Sequence, residues 1–256
     1  MGTLEDALRA RRDGGGRAFV PYVTGGFPGV DVELLRGLAA AGADAIEVGI
    51  PFSDPVMDGG VIQEASARAL RAGVRPSDVL DAIARAELPV PVAVMTYANP
   101  VVRRGVEAFL DAAAAAGVAG VIVPDLPVDE SATLEAAAAE RGVDAVLLAA
   151  PGTAEDRVGE IARRSRGFVY CVSTYGVTGL RERLETTARS VVDALRPRTD
   201  LPLLVGVGIG SPAQAAEACG FADGVVVGSA LMERVVGGDA AGARDLARAF
   251  REAIPR

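Results

Sequence analysis

The sequence predicts an α/β fold: a single (β/α)8 barrel with an extra N-terminal helix, residues 1–256 forming one domain. Three observations carry that expectation. Eight short apolar runs recur at near-even spacing, Ala- and Leu-rich segments of helical periodicity separate them, and 256 residues is a usual length for eight strand-then-helix units. An open doubly wound sheet is the competing arrangement, but no long insertion or change of pattern breaks the alternation.

The elements follow in order. The charged amphipathic segment from Leu4 to Arg11 reads as a short helix capping the bottom of the barrel. Strand candidates begin at Ala18 ("AFVPYVT"), Ala45 ("AIEVGI"), Val90 ("VPVAVMTY") and Gly120 ("GVIVPDLP"). The series continues from Ala145 ("AVLLAAP"), Gly167 ("GFVYCVST"), Leu201 ("LPLLVGVG") and Gly224 ("GVVVGSA"). Strands that are apolar on both faces suit a parallel barrel, because helices cover the outside. Between them lie helical segments such as "VDVELLRGLAAAGA" and "VEAFLDAAAAAGVA", several ending in Gly, a helix-stop signal.

Composition narrows the chemistry. Half of the residues are apolar, enough to bury one large core. A net charge of −8 disfavours nucleic acid as a partner, since phosphate neutralisation needs clustered positive charge. The apolar runs are interrupted well short of a membrane-spanning length and the first residues do not read as a signal peptide, so a soluble, cytoplasmic protein is expected. Cys171 and Cys219 lack metal-ligand spacing and read as small buried residues. The chain has no His and no Lys, which removes imidazole bases, Schiff-base chemistry and the phosphate-binding lysine of nucleotide loops. Acid–base catalysis is left to carboxylates, Tyr, Cys or water.

The stretch "EVGIPFSDPVMDGG", Glu47 to Gly60, supplies such carboxylates. Strand alternation puts Ile46, Val48 and Ile50 on one face and Ala45, Glu47 and Gly49 on the other, so Glu47 points into the barrel. Burial there raises a carboxyl pKa toward the range of a proton donor at neutral pH. Asp58 follows in the loop after the same strand, where chemistry in this fold resides. Asp54, before Pro55, reads as a turn former. Toward the end of the chain, "GVGIGS" (Gly206 to Ser211) and "VVVGSA" (with Gly228 and Ser229) place Gly plus Ser after strands seven and eight, each before a helix. That pairing forms a phosphate cradle of backbone amides. Between strand six and its helix, "STYGVTGLRERLE" reads as a lid loop around Val177 and Thr178.

The blocks "PYVTGGFPG", "GADAIEVGIPFSDPVMDGGVIQ", "MTYANPV", "VPDLPVDES", "YCVSTYGVTG", "GVGIGSPAQ" and "GVVVGSA" occur in the order and spacing of tryptophan synthase alpha subunits, which this chain resembles over nearly its whole length. The resemblance implies a lyase that cleaves indole-3-glycerol phosphate to indole and glyceraldehyde 3-phosphate without metal or organic cofactor. It implies a beta-subunit partner in an alpha-beta-beta-alpha complex, Glu47 as the general acid–base, and Asp58 as the group that holds the indole N–H. By the same resemblance Tyr22, Tyr97, Ile122, Leu148 and Tyr170 line the indole pocket or support the acids. Thr178 matches the lid threonine, and Gly179, Gly208, Gly228 and Ser229 match the phosphate site. The chain departs from the family at Met57 and Gly60, where Ala and Pro are usual, and at Tyr175, where a small residue is common. These departures fit either ordinary divergence or a stand-alone indole-releasing paralogue of a specialised pathway, and a non-catalytic regulatory subunit that binds phosphate ligands is a separate alternative.

Overall fold

A computed structural model describes residues 3–173, 181–206 and 208–255. Its core is a closed barrel of eight parallel strands in chain order, with the first strand paired to the eighth. The strands are β1 (Ala18–Thr24), β2 (Ile46–Gly49), β3 (Val92–Met95), β4 (Val118–Ile122), β5 (Asp144–Ala149), β6 (Val169–Val172), β7 (Leu203–Gly206) and β8 (Gly224–Val227). Most of their residues are buried, as parallel strands must be when side chains fill the inside and helices cover the outside. The expectation of a (β/α)8 barrel is therefore met, and the open sheet is excluded by the β1–β8 ladder.

The helices are α1 (Leu4–Asp13), α2 (Val32–Ala40), α3 (Gly60–Arg71), α4 (Pro76–Ala86), α5 (Ala98–Arg104) and α6 (Val106–Ala115). Then come α7 (Ala132–Glu140), α8 (Glu155–Arg164), α9 (Arg181–Leu195), α10 (Pro212–Ala218), α11 (Ser229–Val236) and α12 (Ala240–Ala253). Units two, three and eight each carry two helices where the sequence reading expects one. The expected run through Tyr97 is also shorter in the structure: β3 stops at Met95 and α5 starts at Ala98. Pro100 sits in the first turn of α5, where a missing N–H costs nothing.

Helix α1 closes the bottom. Thr3 and Asp6 cap it reciprocally, the Thr3 hydroxyl accepting from the Asp6 N–H while the Asp6 carboxylate accepts from the Thr3 N–H at 3.0 Å. Leu4 and Leu8 are fully buried, and Leu4 fills the space beside Gly120 and Gly167. The acids at this end are structural. Asp44 accepts from the Phe19 N–H at 2.8 Å and from Arg251 at 2.9 Å, while Asp223 accepts from the Leu203 N–H at 2.9 Å and from Arg196 at 2.6 Å. Each thus ties a strand start to an arginine. No helix among the described residues is long and apolar enough to cross a membrane.

Candidate active site

Glu47 sits in the middle of β2, with Tyr22 of β1 and Ala93 of β3 as its register partners. Its side chain turns inward and lines a cavity of about 210 Å³ at the carboxyl ends of the strands. Unlike Asp44 and Asp223 it has no cation to hold it: its Oε2 is buried without a hydrogen-bond partner. Burial, and secondarily the charge of Asp58, pushes its pKa from 4.5 up to about 8. A buried carboxyl oxygen with no partner among the described residues is poised for a ligand, since leaving it unsatisfied for structure alone would cost stability.

Asp58 reaches the same cavity from the loop between β2 and α3. The Tyr97 hydroxyl donates to its Oδ2 at 3.0 Å and itself accepts the Met57 N–H at 3.1 Å. Tyr97 in turn stacks on Phe52, with ring centroids 5.0 Å apart, so the loop carrying Asp58 is anchored to the start of α5. Gln63 adds a bond from its side-chain amide to the Asp58 carbonyl at 3.0 Å. Burial raises the Asp58 pKa to about 6, and the Tyr97 hydrogen bond opposes that rise. Near neutral pH the pair therefore holds one protonated and one ionised carboxyl group, the division of labour that acid–base chemistry needs.

Two tyrosines shape the inner wall, and two glycines make room for them. A Cβ on Gly49 would overlap the Tyr22 hydroxyl, and one on Gly206 would overlap the Tyr170 hydroxyl. Tyr22 is 3.4 Å from the Thr24 hydroxyl, and Tyr170 packs against Phe168 with centroids 5.8 Å apart. Leu148, Met57, Met95, Val172 and Val226 complete an apolar lining. The other rim is formed by Gly208, Ile209 and Gly210 after β7 and by Gly228, Ser229 and Ala230 after β8. Ser211 caps α10 by accepting from the Gln214 N–H. Helix α11 begins at Ser229 without a side-chain cap, and while the Leu231 and Met232 N–H groups bond to the Gly228 carbonyl, those of Ser229 and Ala230 are left for an anion in the cavity.

Of the residues singled out from sequence, Glu47, Asp58, Tyr22, Leu148, Tyr170, Gly208, Gly228 and Ser229 line this one cavity. Tyr97 lies behind Asp58, bonded to it, and does not line the cavity. Ile122 is wholly buried in β4 as the register partner of Met95, and it is not in the lining either. Thr178 and Gly179, with Tyr175 of the same loop, lie outside the described residues. Sequence reasoning missed Ile62, Met95, Pro124 and Glu233, all of which line the cavity. Strand alternation on β3, which sets Met95 level with Gly49, could have found one of them. Among the described residues no group of three His, Cys, Asp or Glu side chains is placed to hold a metal ion, and Cys171 and Cys219 are free and buried.

A (β/α)8 barrel whose open end carries carboxylates with separated pKa values belongs to the enzymes that work by acid–base chemistry. Comparison with known proteins makes the class particular: the family model described as tryptophan synthase alpha chain matches residues 8–253. The chain belongs to the tryptophan synthase alpha chain family. It is 43% identical to the alpha chain of Synechococcus elongatus over 261 aligned residues, covering 100% of this chain and 98% of that one. With the alpha chain of Streptomyces coelicolor it shares 44% identity, covering 97% and 96%. Among solved structures, tryptophan synthase of M. tuberculosis superposes with a TM-score of 0.90 at 38% identity, covering 99% of this chain and 98% of that chain. Tryptophan synthase subunit alpha of Legionella pneumophila gives 0.89 at 31% identity, covering 99% and 98%.

Proposed function

We propose that residues 1–256 act as one barrel domain that cleaves indole-3-glycerol phosphate to indole and glyceraldehyde 3-phosphate, as the alpha subunit of tryptophan synthase in the cytoplasm. The observation that carries the reading is the convergence of Glu47 and Asp58 on one apolar cavity whose far rim is the pair of glycine–serine turns. In the reaction, protonated Glu47 donates its proton to indole C3, which makes the ring cationic at nitrogen. Ionised Asp58 accepts a hydrogen bond from that N–H and stabilises the charge, a contact worth about 3 kcal/mol in a preorganised site. The Glu47 carboxylate then takes the proton from the adjacent glycerol hydroxyl. The carbon–carbon bond breaks, its electron pair returns to the ring, and the hydroxyl carbon becomes the aldehyde. Glu47 ends protonated, ready for the next turnover.

Tyr22, Leu148 and Tyr170 hold the ring in this reading, and Gly208, Gly228 and Ser229 hold the phosphate. By family resemblance Thr178 is assigned to the lid and Gly179 to the phosphate site, and both lie outside the described residues. The retained acid pair argues against a subunit that only binds phosphate ligands. Turnover of indole-3-glycerol phosphate by the wild type, Glu47→Gln and Asp58→Asn tests the assignment. Losses of about 10²–10⁴-fold for Glu47→Gln and about 10²–10³-fold for Asp58→Asn are expected. Equal rates in the three proteins would remove the acids from the mechanism. Pull-down with the beta subunit of the same source, followed by indole production with and without it, tests the partnership; stimulation is expected, and its absence would favour a stand-alone enzyme.

A further inference from the structure

The cavity holds a third carboxylate that the reaction does not use. Glu233, an exposed residue of α11, belongs to the lining on the side of Gly228 and Ser229. It lies four residues after Ser229 on α11, so the two side chains share a face with Cβ atoms about 5–6 Å apart. Helical side chains lean toward the N-terminus, which carries the Glu233 carboxylate back over the first turn, where the open N–H groups are. Glu233 has no ion pair among the described residues, and among them no arginine lines the cavity. Among the described residues the phosphate rim is therefore backbone dipoles and one serine hydroxyl with an acid at its edge that no cation meets. That arrangement is the reverse of a site built for the tightest grip.

From this the geometry points to Glu233 as an affinity-setting residue of the phosphate site: its charge weakens binding of the phosphorylated substrate and of the three-carbon phosphate product, so that the product leaves readily. The inference rests on the phosphate-site reading given above. A unit charge some 5–8 Å from a group carrying nearly two charges changes affinity about five- to ten-fold in a water-like dielectric at low salt. Glu and Gln have similar helix propensities, so Glu233→Gln removes the charge without disturbing α11.

The test is inhibition of indole-3-glycerol phosphate turnover by glycerol 3-phosphate and, separately, by indole, in the wild type, Glu233→Gln and Glu233→Arg. At low salt Glu233→Gln is expected to lower both the KM and the glycerol 3-phosphate Ki about five-fold, and Glu233→Arg to lower them further. The indole Ki should stay where it is, because indole carries no phosphate. In about 1 M salt, where the screening length falls to about 3 Å, the variants should converge on the wild type. An unchanged glycerol 3-phosphate Ki at low salt, or an indole Ki that moves in step with it, would overturn the role of Glu233 while leaving the phosphate site standing. Failure of glycerol 3-phosphate to compete in any of the three proteins would instead overturn the phosphate-site reading, and this inference with it.

Discussion

Glu47 and Asp58 differ in surroundings more than in chemistry. Glu47 is buried beside a like charge with no hydrogen bond to its Oε2 among the described residues, whereas Asp58 has the Tyr97 hydroxyl, and their pKa values are pushed apart to about 8 and about 6. The working form has Asp58 ionised and Glu47 protonated, so activity falls as pH drops below about 6, where Asp58 takes up a proton, and as pH rises above about 8, where Glu47 loses one. A plot of kcat/KM against pH should be a bell with limbs near 6 and 8, since that quantity reports the free enzyme. Tyr97 controls the acid limb: its hydrogen bond lowers the Asp58 pKa, so Tyr97→Phe should move that limb to higher pH and lower kcat/KM roughly ten-fold, the worth of one bond to a charged group. A flat profile across this range, or an acid limb displaced to lower pH in the variant, would contradict the assignment.

At the scale of elements, close approach between neighbouring strands decides which residues can face the cavity. Tyr22 of β1 leans across β2 because Gly49 has no Cβ, and Tyr170 of β6 leans across β7 because of Gly206. Gly49→Ala should therefore lower stability by about 1–3 kcal/mol, as overpacked cores do, with a matching fall in the urea midpoint. Adding Tyr22→Phe removes the oxygen nearest the new methyl group and should restore part of the loss; independent effects in the double variant would show that the two side chains do not share the space. The strands were legible in the sequence because each is buried on both faces and so reads as an unbroken apolar run. Glu47 was legible for the same reason, as an acid set in the middle of such a run. The doubled helices of units two, three and eight were not, because a barrel repeat constrains the strand and leaves the connection free. Ile62, Met95 and Glu233 were missed for a related reason: lining a cavity is a property of the closed ring, and only Met95 left a local trace. Tyr97 was legible as a residue but not as the anchor that ties the Asp58 loop to the start of α5, since its partners lie 39 and 40 positions away.

Across the whole molecule the two ends of the barrel treat buried charge in opposite ways. At the bottom, Asp44 and Asp223 each meet an arginine and a backbone N–H, partners that offset the cost of taking the charge out of water. At the top, the Oε2 of Glu47 is left without a partner among the described residues, so function there is held at a cost to the fold. That cost has a definite pH dependence. The folded state raises the Glu47 pKa from 4.5 to about 8, so the folded protein binds this proton more tightly than the unfolded chain does. The resulting stabilisation is complete below 4.5 and is lost progressively as pH rises through 8. Asp58, raised from 3.8 to about 6, acts in the same direction over a lower and narrower range. With about 1.36 kcal/mol per pKa unit, Glu47 alone accounts for a loss on the order of 4–5 kcal/mol at pH values above its folded-state pKa. Glu47→Gln keeps the shape and removes the titration, so urea unfolding of the two proteins should diverge as pH rises, with the variant the more stable on the alkaline side. Parallel stability curves for wild type and variant from acid to alkaline pH would mean that Glu47 finds a compensating partner in the folded protein, and the assignment of its proton to catalysis near neutral pH would fall with that result.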